Sequence, residues 1–140
     1  MNKELRCIML VDDNPDDNFF HEREIKKNNS SNIVITKNTG IEALEYLKSD
    51  KGKGANPDLI FLDINMPGMN GWEFLEQYSQ LDKQLQSKAL IIMLTTSDNS
   101  DDLAKVKQWS FVSDYITKPL TREIMQNIIN KHFQAIPLKV

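Results

Sequence analysis

The 140-residue chain contains a single cysteine, Cys7, so it cannot form a disulfide within itself. It has five glycines and five prolines, too few for a collagen-like or low-complexity chain. Basic and acidic residues number 17 and 20, and this balance excludes a broad cationic surface for nucleic acid or acidic lipid. The longest purely apolar run, Ala89 to Leu94, is far shorter than a membrane span, and no signal-peptide pattern is present. We therefore expect one compact domain in the cytoplasm, with Cys7 as a buried, inert thiol.

Short apolar runs recur along the chain, separated by segments of helical length. The runs are Cys7 to Val11, Ile33 to Ile35, Leu59 to Leu62, Ala89 to Leu94 and the weaker Tyr115 to Ile116. They do not alternate with polar residues, which is typical of parallel strands covered on both faces. The pattern predicts an α/β fold, a flavodoxin-like (βα)5 doubly wound sheet of five parallel strands in the order 2-1-3-4-5. We expect one domain over residues 1–140, with its core at 6–134, a tail at 135–140 and no output domain.

Capping patterns predict where the helices begin. Asn14 precedes Pro15, and Thr39 with Glu42 and Asn70 with Glu73 have the spacing of a capping box. Ser100 and Thr121 are expected to cap two further helices. The first helix is predicted from its cap and its place in the alternation, because its apolar residues do not form a clear stripe. The Lys- and Gly-rich residues 51–54 are predicted to be a surface loop, since they lack the pattern of a phosphate-binding loop.

The unusual polar residues all follow predicted strands. They are Asp12 and Asp13 after the first, Asp63 after the third, Thr95 and Thr96 after the fourth, and Lys118 after the fifth. In an open α/β sheet the carboxyl ends of the strands form one edge, so these side chains should converge there. Carboxylates ~5 Å apart repel by ~3 kcal/mol per pair at an effective dielectric near 20, so a cation must compensate. Lys118 can supply one charge, and an all-oxygen ligand set favours Mg²⁺ for the rest.

These residues resemble the receiver domains of two-component response regulators, in the stand-alone, chemotaxis-regulator-like form. The matching motifs are Ile8 to Asp13, Leu62 to Gly71, Met93 to Thr96 and Tyr115 to Pro119. With the helices between and after them they span Cys7 to Phe133 in the order found in that family. Residues Leu94 to Ser97 and the Lys/Gly loop are similar to stand-alone receivers that work with phytochrome-type or hybrid kinases.

The resemblance implies a function and a role for each position. The protein would be a phosphoacceptor in a two-component phosphorelay, catalysing only its own phosphorylation and dephosphorylation. Asp63 would accept the phosphoryl group, while Asp13, Asp63 and the backbone carbonyl of Asn65 would bind Mg²⁺ and Asp12 would act mainly through water. Thr95 and Lys118 would each contact a phosphoryl oxygen, and a cis bond is expected before Pro119.

The resemblance also implies regulation and partners. Thr95 and Tyr115 would form the switch that transmits phosphorylation to a surface of the fourth helix, fifth strand and fifth helix. Asn65 and Ser97 would set the rate of dephosphorylation. His21 and His132 are predicted from their positions to lie on helices far from the acids and to have no catalytic role. The phosphodonor would be a sensor histidine kinase or a phosphotransfer protein, and the output a downstream protein or a homodimer. The chain departs from many receivers by lacking a glycine in the stretch from Trp109 to Asp114.

Three other interpretations stay open from the sequence. An aspartate-nucleophile phosphohydrolase would need a second acid two residues after its nucleophile, where this chain has Asn14 or Asn65. A flavodoxin-like cofactor protein would need a hydroxyl- and glycine-rich loop after the first strand, where acidic residues stand instead. A degenerate receiver, acting without phosphorylation, conflicts with the complete set of acids, Thr and Lys.

Overall fold

The structure is a computed structural model, and it describes residues 5–28, 33–48, 57–81, 89–96, 104–109 and 112–133. The strands are β1 (Cys7–Val11), β2 (Ile33–Lys37), β3 (Leu59–Asp63), β4 (Leu90–Thr95) and β5 (Val112–Thr117). The helices are α1 (Pro15–Asn28), α2 (Gly40–Lys48), α3 (Gly71–Tyr78) and α5 (Arg122–His132). Residues 104–106 are also helical and are labelled α4.

The strands form one parallel sheet in the order β2-β1-β3-β4-β5, which confirms the predicted α/β fold and its strand order. Every residue of β1 and β3 is buried, because these central strands are covered on both faces. The two faces pack into separate clusters, one built around Phe74 and Tyr78 of α3 and the other around Met125 and Ile128 of α5. Cys7 is buried as expected, and burial, reinforced by the Asp58 carboxylate, raises the pKa of its thiol to about 11.

The predicted caps are present at four helix starts. Asn14 accepts hydrogen bonds from the N–H groups of Asp16 and Asp17 at 2.9 and 3.3 Å, at the start of α1. At the start of α3, Asn70 and Glu73 form a reciprocal capping box with distances of 2.9 and 3.1 Å. Thr39 and Thr121 accept from the N–H of the residue three positions on, as predicted for α2 and α5. The predicted cap at Ser100 and the loop at 51–54 lie outside the described residues.

Helix α1 packs on β1 and α5 through a partly polar face. Its buried side chains are Asn18, His21 and Ile25, whereas Phe19 is 69% exposed. The spacing of 18, 21 and 25 is helical, but two of the three residues are polar, so apolar periodicity does not reveal this inner face. Asn18 Nδ2 donates to the Asp12 carbonyl and His21 Nε2 accepts from the Leu120 N–H, whereas the buried Oδ1 of Asn18 has no hydrogen-bond partner among the described residues.

Strand β5 is longer than the two apolar residues predicted from the sequence. It runs over Val112–Thr117 at the edge of the sheet and pairs with β4 through an irregular register near Ile91 and Ile92. Because an edge strand is only partly covered, it includes Ser113 and Asp114, which interrupt the apolar signal. No helix among the described residues is long and apolar enough to cross a membrane.

Candidate functional site

Three aspartates meet at the carboxyl edge of the sheet. Asp12 directly follows β1, Asp13 follows it, and Asp63 is the last residue of β3, the strand paired with β1. One carboxylate oxygen from each lies within 4.8 Å of the other two. Asp12 and Asp63 are buried while Asp13 is exposed, so the cluster has a closed floor and an open side. The structure thus places the sequence-predicted acids together.

Lys118 lies beside this acidic cluster and forms ion pairs with two of its members and with Asp17. Its Nζ is 2.7 Å from Asp12 Oδ2, 2.9 Å from Asp17 Oδ2 and 3.5 Å from Asp63 Oδ1. The backbone N–H of Lys118 donates to the Thr95 carbonyl at 2.7 Å, which ties the loop after β5 to the end of β4. The bond between Lys118 and Pro119 is cis, as the resemblance to receiver domains implied.

Asp12 is already hydrogen-bonded through both carboxylate oxygens. Its Oδ2 accepts from Lys118, and its Oδ1 accepts from the backbone N–H of Asn14 at 3.0 Å. Asp13, in contrast, is open to solvent. The two neighbouring acids therefore differ: both oxygens of Asp12 are engaged within the protein, whereas Asp13 faces solvent.

Burial and the neighbouring Asp12 carboxylate together raise the pKa of Asp63 from its ordinary 3.8 to about 7, against the opposing effect of Lys118. For Lys118, burial favours the neutral amine, but its hydrogen bonds to Asp12 and Asp17 outweigh burial and raise its pKa. At neutral pH the site therefore holds a charged ammonium beside an aspartate that is close to its own titration midpoint.

This raised pKa predicts a pH dependence of stability in the metal-free protein. Between pH 3.8 and about 7 folded Asp63 keeps a proton that the unfolded chain has released. The proton on Asp63 therefore stabilises the fold fully at low pH. As pH rises toward 7 the free energy of unfolding falls, by at most about 1.4 kcal/mol per pH unit. Asn at position 63 does not titrate. In chelator, we expect the melting temperature of Asp63→Asn to exceed that of the native protein by an amount that grows from pH 5 to pH 7.5; a constant difference would contradict the shifted pKa.

The structure describes all but one of the remaining predicted residues. Thr95 is fully buried at the end of β4, whereas Thr96 is exposed. Asn65 is exposed two residues after Asp63. Tyr115 is half-buried on β5, opposite Met93 in the register with β4. Ser97 lies outside the described residues.

Sequence reasoning missed two residues near the cluster, Asp17 and His21, both on α1. Asp17 is an ion-pair partner of Lys118 at 2.9 Å. Its position in the first turn after β1, at the same edge as Asp12, was the available signal. His21 was predicted to lie far from the acids, but its Nε2 accepts the N–H of Leu120 at 3.2 Å, two residues beyond Lys118. Burial, together with the nearby Lys118 charge, lowers the pKa of His21, consistent with a neutral ring that accepts this bond.

The donor chemistry of the cluster fits Mg²⁺. The carboxylates of Asp12, Asp13 and Asp63 form the group of possible metal ligands found among the described residues, and it contains neither Cys nor His. Hard oxygen ligands and an open side that admits water are what Mg²⁺ requires, while zinc prefers nitrogen and sulfur. The exposed face at Asp13 would leave room for the ion to keep part of its hydration shell.

Residues 8–130 match the family described as the response regulator receiver domain. The chain belongs to this family. Protein PilH of Pseudomonas aeruginosa is 29% identical over 124 residues, which cover 88% of this chain and 93% of PilH. The crystal structure of a two-component response regulator from Cytophaga hutchinsonii superposes with a TM-score of 0.83 at 29% identity, covering 92% of this chain and 97% of that one. The bacteriophytochrome response regulator AtBRR gives a TM-score of 0.78 at 28% identity, covering 97% and 99%.

Membership gives the coarse function of the chain. Receiver domains are signalling phosphoacceptors rather than enzymes with an external substrate, and they take phosphoryl groups from histidine kinases or phosphotransfer proteins. Members of the family generally bind Mg²⁺ at an acidic pocket, and the cluster of Asp12, Asp13 and Asp63 corresponds to such a pocket. The chain is therefore a receiver domain of two-component signalling.

Proposed function

We propose that this receiver accepts a phosphoryl group on Asp63 in an Mg²⁺-dependent reaction, from a sensor histidine kinase or a phosphotransfer protein. One observation carries the proposal: buried Asp63 lies within 4.8 Å of Asp12 and Asp13 and 3.5 Å from the Lys118 ammonium. The Asp63 carboxylate, which can act as a nucleophile, thus lies beside two carboxylates that can bind a cation and beside a positively charged ammonium. The proposal retains the cytoplasmic location expected from the sequence.

In the proposed reaction an Asp63 carboxylate oxygen attacks the phosphorus of the donor. An oxygen–phosphorus bond forms, and the bond from phosphorus to the donor's imidazole nitrogen, or to the acetate oxygen of acetyl phosphate, breaks with its electron pair leaving on the donor. Asp63 must be unprotonated to attack, and the Lys118 ammonium favours that form. Mg²⁺ bound by Asp13 and Asp63 would offset the negative charge of the phosphoryl oxygens.

Lys118 and Thr95 would stabilise the product. Lys118 is held near Asp63 on a short loop, and Thr95 ends the adjacent strand β4. An ammonium and a hydroxyl in a largely buried site can donate charge-assisted hydrogen bonds to phosphoryl oxygens.

The direct test is the intact mass of the protein after incubation with acetyl phosphate and Mg²⁺. We expect a gain of one phosphoryl group that chelator prevents and that hydroxylamine, which cleaves acyl phosphates, removes. No mass gain under any phosphodonor would instead support a degenerate receiver. Sustained hydrolysis of small phosphate esters would support a phosphohydrolase.

Asp13 should matter more for Mg²⁺ than a neighbouring surface acid. We expect Asp13→Ala to weaken Mg²⁺ binding at least tenfold, because it removes a charged ligand of a hard cation. Asp16→Ala removes an exposed carboxylate near the same edge and serves as the control, with a change below about twofold. Mg²⁺ titration followed by NMR or calorimetry measures both. Equal weakening would mean that Asp13 contributes only general negative charge.

Asn65 is proposed to tune loss of the phosphoryl group rather than its uptake. It is exposed two residues after Asp63, so we expect it to flank the path of a hydrolytic water. Asn65→Ala should therefore change the rate at which phosphorylated protein loses mass while leaving uptake intact. Ser97 is proposed for the same role.

Phosphorylation is further proposed to switch the surface formed by α4, β5 and α5. Thr95 would move toward the phosphoryl group, and half-buried Tyr115 would rotate inward into the space that this movement leaves. Moving such a switch from 1:99 to 99:1 needs about 5.5 kcal/mol, an amount that several charge-assisted contacts can supply. The partner of this surface is proposed to be a downstream protein or a second copy of the chain.

Comparison of the free protein with its beryllofluoride–Mg²⁺ complex tests the switch. We expect NMR shifts at Tyr115 and along β5 in addition to those at the acids, and sedimentation reports any change of oligomeric state. Shifts restricted to the acidic cluster would refute the switch while leaving the role of Asp63 intact.

A further inference from the structure

The resting position of the Lys118 ammonium is set by two carboxylates other than that of Asp63. Nζ forms hydrogen bonds to Asp12 at 2.7 Å and to Asp17 at 2.9 Å, whereas Asp63 is 3.5 Å away. The ammonium has three N–H groups. Its two short hydrogen bonds go to Asp12, directly after β1, and to Asp17 in α1. Two of the three N–H groups are therefore engaged by Asp12 and Asp17 in the resting protein, and the ion pair with Asp63 is the longest of the three.

Asp17 is directed at Lys118 by the local structure of α1. Asn14 caps the helix by accepting the N–H groups of both Asp16 and Asp17, which fixes the first turn. Successive residues of a helix point about 100° apart, so one of the two neighbouring acids can face the cluster while the other faces solvent. Asp16 is exposed, and Asp17 reaches Lys118.

The two resting partners of Lys118 differ in how easily they can release it. The side chain of Asp12 is 3% exposed. Moving the ammonium away would leave the buried Asp12 carboxylate without a counter-charge, which is strongly unfavourable. The side chain of Asp17 is 37% exposed, so water can solvate its carboxylate once the ion pair breaks. Asp17 is therefore the partner that can yield when a phosphoryl oxygen takes a hydrogen bond from Lys118.

We propose that Asp17 is a positioning residue that holds the Lys118 ammonium back from Asp63 in the unphosphorylated protein and competes with the phosphoryl group for it. This inference rests on the proposed phosphoacceptor function of Asp63. It gives α1 a part in setting how readily the receiver is phosphorylated, separate from any part in binding Mg²⁺.

The test compares Asp17→Asn with Asp16→Asn, which removes the same charge one residue away without removing a Lys118 contact. With Mg²⁺ present, we expect the apparent Kd for beryllofluoride to fall about three- to fivefold in Asp17→Asn, the range of a partly exposed ion pair, and by less than half of that in Asp16→Asn. Asp17→Ser, which also suits a first helical turn, should reproduce the result. Equal changes in both Asn variants, or weaker binding in Asp17→Asn, would overturn the inference.

The ¹⁵N resonance of the Lys118 side chain gives a readout that does not depend on phosphorylation. Without beryllofluoride it should shift in Asp17→Asn and stay in place in Asp16→Asn. If the native protein binds no beryllofluoride, the phosphoacceptor proposal fails, and this resonance still decides whether Asp17 holds the ammonium. An unshifted resonance in Asp17→Asn would show that it does not.

Discussion

Asp63→Asn should abolish phosphoryl uptake from acetyl phosphate. The amide oxygen of Asn carries no negative charge and cannot form a stable acyl phosphate, so the mass of the variant should stay unchanged after incubation with donor and Mg²⁺. Asp16→Asn, which alters an exposed acid on α1, should still gain one phosphoryl group. Full uptake by Asp63→Asn would place the acceptor at another residue and refute the central proposal.

The same variant should keep its fold, and without metal it should be more stable than the native protein near pH 8. Asp63 is buried beside Asp12 and Asp13, and like charges at such distances repel by a few kcal/mol before Lys118 compensates. Removing one of the three charges relieves this repulsion. Thermal melts in chelator measure the effect, expected to be several degrees. A clearly lower melting temperature would mean that the ionised acids do not oppose one another in the folded protein.

Gly71→Ala should strongly destabilise the protein, by about 3 kcal/mol. Gly71 is the first residue of α3, and its N–H donates to the Ile64 carbonyl at 2.8 Å. A Cβ there would lie 2.8 Å from the Asp63 carbonyl oxygen and 2.9 Å from the Ile64 Cα. Both are backbone atoms, which cannot move aside as a flexible side chain can. The clash would act on the backbone at the end of β3, at Asp63 itself, so we expect lower stability and slower phosphoryl uptake.

Gly40→Ala is the matched control. Gly40 also begins a helix, α2, but the atom nearest to a Cβ there is the Met69 sulfur at 2.9 Å, in a flexible side chain. Met69 can turn away, and Ala favours a helix over Gly by up to about 1 kcal/mol, so this variant should stay within about 1 kcal/mol of the native protein. Denaturant unfolding compares the two variants. Equal losses would show that the contact with the Asp63 backbone is not the cause at Gly71.

Secondary structure followed closely from local sequence. The caps at Asn14, Thr39 and Asn70 could be predicted from the sequence, because each cap depends on residues at most three positions apart. The buried strands β1 and β3 could be predicted as well, because parallel strands covered on both faces need continuous apolar residues. Strand β5 was underestimated, since an edge strand tolerates polar residues, and the inner face of α1 was missed because His21 and Asn18 form part of it.

The acids and Lys118 of the candidate site were also predictable, because a parallel sheet places all strand carboxyl ends at one edge. That rule predicts that these side chains lie near one another, but it does not give the distances between them. It does not show that Lys118 binds Asp12 and Asp17 more closely than Asp63, or that burial raises the pKa of Asp63 to about 7. Those features depend on how deeply each carboxylate lies beneath α1 and the loop after β5.

Residues that are close in the chain thus establish the helices, the strands, the order of alternation and the set of acids available at one edge. Packing establishes which of those groups compete for one ammonium. Lys118 and Asp12 are 106 residues apart in the sequence, and Asp17 differs from Asp16 only in the direction that α1 gives it. The reason is physical: backbone caps and apolar periodicity act over one or two turns, whereas charge pairing and burial depend on distances between elements that come together only in the folded sheet and its helices.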